Sequence, residues 1–156
     1  MGTRTLIGTG PPARYTARWL HWGAEPGQLV PTLRRMWQDT FGQDTTALVT
    51  TLLTHDWSHL TTTPNPDPHG GRAVAGVGTT SPGGTGPLRH GRTDETVSPD
   101  REWLYLIDTV RDTVRAYEAT RRRRWLAHST HSLHTGQSRA AIDPIGPRIP
   151  PARIPW

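Results

Sequence analysis

Apolar and polar positions change period several times along the chain, and each change marks an expected element. Thr3 to Gly8 is a short apolar run closed by Gly10-Pro11-Pro12, whose ring-locked prolines end regular structure. From Arg14 to Trp22, Tyr15, Ala17, Trp19 and His21 alternate with Thr16, Arg18, Leu20 and Trp22, the period of a pleated strand. The two segments predict an N-terminal hairpin. After a turn at Gly23-Ala24-Glu25-Pro26-Gly27 the period lengthens, placing Leu29, Val30, Leu33, Met36, Trp37 and Phe41 on one helical face. Pro31 suits only a first helical turn, so this helix is expected to begin near Val30 and to stop at Gly42. A second helix is expected from an N-cap at Asp44 through Val49, Leu52, Leu53, Trp57 and Leu60.

The stretch 61–99 breaks the pattern. Thr, Pro, Gly and Asp dominate it, Ala73 to Val77 is its apolar island, and the composition favours a disordered loop over a functional lid. Arg101 to Ala119 supports two readings. Trp103, Leu106, Ile107, Val110, Val114 and Tyr117 fit a helical face, whereas Trp103 to Ile107 and Thr113 to Tyr117 also read as two strands joined across Thr109 to Asp112. Beyond Gly136, Pro144, Pro147, Pro150, Pro151 and Pro155 forbid helix and favour an extended chain.

Charge is distributed unevenly. All 18 basic residues are Arg and none is Lys, a bias that GC-rich coding alone would produce, so the formal net charge of +5 proves little about a partner. Its location says more: Arg121 to Trp156 holds seven Arg against Asp143, and the rest of the chain is close to neutral. The absence of cysteine excludes disulfides, thiolate metal sites and a cysteine nucleophile. No stretch reaches the roughly 18 apolar residues of a membrane span and no signal peptide is evident, so a cytoplasmic protein with no membrane partner is expected.

Three pieces of the sequence together carry a resemblance. Met1-Gly2-Thr3-Arg4 with Leu6-Ile7-Gly8, then His21-Trp22 with Pro26, then Glu102-Trp103-Leu104-Tyr105-Leu106-Ile107-Asp108 leading to Val114-Arg115-Ala116-Tyr117 resemble a group of bacterial, phage and fungal proteins that begin Met-Gly-Thr-Arg. The turn here reads Gly-Ala-Glu-Pro where that group has Asp-Gly-Tyr-Pro. The resemblance implies a β-hairpin over Arg101 to Ala119 and carries no activity with it. The expected fold is then α+β: a small antiparallel sheet, made of the N-terminal hairpin and the later one, with two helices on one face. A single domain over 1–135 and a Pro/Arg-rich extended or disordered tail over 136–156 complete the expectation.

Candidate chemistry is sparse. In His55-Asp56-Trp57-Ser58-His59 the two histidines stand four apart, one face of a helix, with Asp56 where a His-Glu-x-x-His metalloprotease carries its base. That spacing points to a divalent metal and a metal-dependent hydrolase using His55, Asp56 and His59. The alternative is that both imidazoles edge the apolar face or sit at the helix C-terminus. His128, His131 and His134 form a ladder only if their segment is helical. No Gly-x-Ser-x-Gly elbow is present, Gly76-Val77-Gly78 lacks the Lys of a phosphate loop, and Gly2 has no nucleophile to expose. The run Arg121-Arg122-Arg123-Arg124 before Trp125 is the strongest binding signal: guanidinium forks fit phosphate oxygens, and Trp125 either stacks on a base or anchors in the core. A non-enzymatic accessory protein whose Arg-rich C-terminal region contacts nucleic acid or an acidic protein is the expected function, with no cofactor favoured.

Overall fold

A computed structural model describes residues 3–65, 70–82, 86–134 and 138–140. The N-terminal hairpin forms as the alternation requires, from β1 (Thr3–Thr9) and β2 (Tyr15–Gly23). One pair from its turn Gly8 faces Ala17, and a Cβ on Gly8 would run into the Thr16 carbonyl oxygen. Only glycine fits there.

The helical layer follows. α1 (Pro26–Arg35) starts four residues before the expected position, with Pro26 in its first turn and Pro31 accommodated inside it on the exposed side. A π turn (Met36–Thr40) continues it, closed by the Phe41 N–H on the Met36 carbonyl. α2 (Thr45–Leu52) opens on Asp44, whose side chain accepts the Ala47 N–H at 2.9 Å. The helix ends eight residues before the expected Leu60, because Trp57 leaves the helical path. Its fully buried indole N–H turns back to cap the Leu52 carbonyl at 2.9 Å, and Trp57–Leu60 becomes a strand, β3.

The stretch expected to be a loop carries three short strands, β4 (Ala73–Val74), β5 (Gly78–Thr80) and β6 (Arg89–Gly91). The ambiguous segment is a hairpin, β7 (Trp103–Asp108) and β8 (Thr113–Ala119), followed by β9 (Trp125–Ser132) and β10 (Ser138–Ala140). The proline-rich stretch 141–156 and residues 1–2 lie outside the described residues.

These strands correct the expected small antiparallel sheet. They form one ten-stranded mixed sheet in the order β10-β9-β8-β7-β1-β2-β3-β5-β4, with β6 beside β2. Two pairings are parallel, β1 with β7 and β2 with β3. The second has a local cause: α1 and α2 form the crossover that returns the chain in the same direction. The first joins residues almost a hundred positions apart and puts β7 in the sheet interior. Covered on both faces, Trp103 to Ile107 are all buried, which is why they read as one apolar run.

The helices, Ile7, Leu20, Trp57, Trp103, Tyr105, Ile107 and Val114 make the larger core on one face. Leu6, Tyr15, Ala17, Val97, Leu104, Leu106, Tyr117 and Trp125 make a smaller core on the other, where Arg89 and Arg101 stack on Trp19 at 4.8 and 5.0 Å. Among the described residues no helix is long and apolar enough to cross a membrane.

Candidate nucleic-acid interface

Arg121 to Arg124 do not belong to a free tail. They form the turn between β8 and β9, closed by the Thr120 N–H on the Arg124 carbonyl at 2.8 Å and the Arg123 N–H on the Thr120 carbonyl at 2.9 Å. Arg123 takes a positive φ of 60°, a left-handed step of the kind that tight turns use. A segment crossing the smaller core braces the turn from outside: the Val97 N–H reaches the Arg123 carbonyl at 2.7 Å, and Thr96 bridges Arg124. Arg124 further donates from Nη1 to the Asp94 carbonyl at 3.0 Å.

All four side chains are exposed, and no ion pair among the described residues involves them. Trp125, the next residue, is 9% exposed and packs in the smaller core. The indole is therefore an anchor for the turn. It offers no face on which a base could stack.

The two histidines of the metalloprotease-like string are not brought onto a helical face. His55 sits in the turn after α2, edge-on to Trp57, with Arg72 Nη2 at 3.5 Å from its Nε2. Burial, with Arg72 and Arg18 nearby, pushes the His55 pKa down. His59 stands on β3 and lies parallel to the exposed Trp22 ring at 5.9 Å. Asp56 is committed elsewhere: it accepts the Trp19 backbone N–H at 3.2 Å and pairs with Arg18 at 3.8 Å. The described residues contain no group of three or more His, Cys, Asp or Glu arranged to hold a metal.

His21 and Asp56 do line one cleft, of about 300 Å³, with Arg4, Trp19, Trp57 and Ser81, but His55 and His59 are not among its walls. Among the described residues no hydrogen bond links Ser81 to His21 or His21 to Asp56, so the three make no relay. The helix that a histidine ladder would require is absent, because Trp125–Ser132 is the strand β9. Ser129 Oγ is hydrogen-bonded to His131 Nε2 at 2.7 Å and to His128 Nδ1 at 2.9 Å, while His134 pairs with Asp112 at 3.0 Å. Burial, with Arg34 and His128 nearby, pushes the His131 pKa down.

Two basic residues that the linear sequence did not single out, Arg111 and Arg115, line a second cleft at the far end of β8. Their signal is visible only once the fold is known: Arg115 stands on β8 and Arg111 in the β7–β8 turn, and the pairing of β7 with β8 brings both to one cleft. The chain matches no protein-family model, no curated protein and no solved structure.

Proposed function

We propose that this is a non-enzymatic binding protein that meets the phosphate backbone of nucleic acid through Arg121, Arg122 and Arg123. The observation that carries the reading is the β8–β9 turn itself: consecutive exposed guanidinium groups without a carboxylate partner among the described residues, on a turn fixed by the core. Arginine forks suit phosphate oxygens, and each phosphate neutralised releases counterions, which supplies affinity without sequence information. With Trp125 buried, base stacking contributes nothing.

Removing the whole region is a poor test, since β9 is a strand of the sheet and would go with it. The triple variant R121A/R122A/R123A leaves Arg124 and its hydrogen bonds in place. Anisotropy titrations of labelled duplex DNA against salt should give a log–log slope of about −3 for three phosphate contacts, falling towards zero in the variant. A slope that the variant does not change refutes the reading. Poly-glutamate binding as tightly as DNA at matched charge moves the partner to an acidic protein.

A further inference from the structure

β1 and β7 run parallel and side by side from Thr5 opposite Trp103 to Thr9 opposite Ile107. An antiparallel pair can be closed at this end by a hairpin, but a parallel pair cannot. Here β1 leaves through Gly10-Pro11-Pro12 towards β2, and β7 leaves through Thr109 to Asp112 towards β8. The two exits diverge and leave a cleft of about 370 Å³ outside the carboxyl ends of the strands. In open sheets with parallel strands, that is where ligands collect, and the volume lies at the small end of ligand pockets.

The walls are chemically one-sided. Pro11, Pro12 and Leu106 supply apolar surface, and Thr113, Arg111 and Arg115 supply polar groups. Among the described residues Asp108 is the only acidic one in the lining, and its Oδ1 is occupied by the Val110 and Arg111 backbone N–H groups at 2.9 and 3.0 Å. Neither arginine makes an ion pair among the described residues, and the contact recorded for Arg115 is a long one, from Nη1 to the Tyr117 hydroxyl at 3.4 Å. The lining thus sets two arginines, neither in an ion pair among the described residues, against a single carboxylate whose Oδ1 is already engaged. Such a site favours a dianion, because each fork places two parallel N–H donors on one oxyanion.

We propose that this cleft binds a phosphate monoester, with the phosphate held by Arg111, Arg115 and Thr113 and the organic part against Pro11, Pro12 and Leu106. The inference is independent of the β8–β9 turn, whose arginines lie at the opposite end of β8. The ester could be a free small molecule or the 5′-phosphate of a nucleic acid, and one set of titrations separates them.

Calorimetry with phenyl phosphate, with inorganic phosphate and phenol as comparisons, reads the site directly. Phenyl phosphate should bind more tightly than inorganic phosphate, and phenol should not bind. Arg111→Gln, on an exposed turn, should weaken phenyl phosphate by about tenfold, the worth of one charged fork. Arg115→Gln should weaken it at least as much, and Arg115→Lys should recover part of the loss. R121A/R122A/R123A should bind phenyl phosphate as the wild type does. A 5′-phosphorylated oligonucleotide that outbinds its 5′-hydroxyl counterpart, and loses that advantage in Arg111→Gln, assigns the site to nucleic-acid ends; equal binding assigns it to free esters. No saturable heat with the wild type, or unchanged phenyl phosphate binding in Arg111→Gln, overturns the proposal. Should Arg115→Gln fail to fold, Arg111→Gln decides alone.

Discussion

Thr45→Val tests how the helical layer is fastened to the sheet. Thr45, the first residue of α2 and 4% exposed, accepts the Trp37 indole N–H at 2.8 Å and donates its own proton to Asp112 Oδ1 at 2.5 Å. His134 holds the other Asp112 oxygen at 3.0 Å and meets the Trp37 ring edge-on at 4.7 Å. One hydroxyl therefore ties the π turn and α2 to the β7–β8 turn, and Asp112 ties both to the end of β9. Valine keeps the shape and removes the hydroxyl. The Trp37 N–H, on a residue 1% exposed, is then buried without a partner at a cost of about 1–3 kcal/mol. The Asp112 side chain is 29% exposed, so water replaces part of its lost bond and the added cost is about 1 kcal/mol. Thr45→Ser keeps both bonds and loses one methyl, about 1 kcal/mol. At roughly 3 °C per kcal/mol for a chain of this size, the Val variant should melt about 6–12 °C below the wild type and the Ser variant about 3 °C below. Circular dichroism melts at pH 7 measure both.

The same bond sets a pH signature. The Thr45 hydrogen bond is the leading cause holding the Asp112 pKa below its ordinary 3.8, with His134 adding to it. A carboxyl depressed in the folded state confers stability that is present above 3.8 and lost as pH falls through the folded value. The Val variant should lose less stability than the wild type over that acid range. A Val variant as stable as the Ser variant, or one with an unaltered acid slope, refutes the latch.

The packing also sets the outcome of other substitutions. Gly8→Ala must push a Cβ into the Thr16 backbone and should abolish soluble folded protein, whereas Gly27→Ala, with nothing within 4 Å, should gain up to about 1 kcal/mol in helix propensity; expression and melting temperature check both. His131 is held neutral by burial, so stability should be full above its ordinary 6.5 and decline as pH drops through that value, and His131→Gln should flatten urea midpoints measured from pH 7.5 to 5. Arg18, 6% exposed, donates from Nε to the Leu53 carbonyl at 2.8 Å, reaches the Gly86 carbonyl and pairs with Asp56. Arg18→Met should cost about 3 kcal/mol, and adding Asp56→Asn should cost less than the separate effects combined in a double-mutant cycle.

Local signals in the sequence carried local structure. Alternation marked β2, and Asp44 marked the start of α2, because each rests on neighbours a few residues away. The β1–β7 pairing left no such mark: once a strand is buried on both faces its period disappears, and Trp103, Leu106 and Ile107 of the same run also fit a helical face. Trp57 misled for a related reason, since its spacing continues the apolar stripe of α2 while its indole caps that helix from a strand. The Arg run was legible as an exposed charge cluster, but whether Trp125 stacks or anchors depends on a core that it shares with Leu6, Val97 and Leu104, residues of three distant segments. Thr45 drew no attention in the sequence, because its partner Asp112 lies 67 residues away.

The two basic features stand at opposite ends of one strand, and that placement constrains what each can do. From Arg115, the cleft residue nearest the Arg turn, to Arg121 is six residues, about 20 Å at 3.3 Å per residue. No ligand small enough for a cleft of about 370 Å³ reaches both. A nucleic acid can, since one duplex spans that distance within a single helical turn of about 34 Å. The salt slope then separates two arrangements. If Arg111→Gln leaves the slope for internal duplex unchanged while R121A/R122A/R123A removes it, the protein has a polyanion surface and a distinct phosphate site. If each change lowers the slope in proportion to the arginines removed, β8 carries one continuous track for a phosphate backbone, and the cleft is where that track ends.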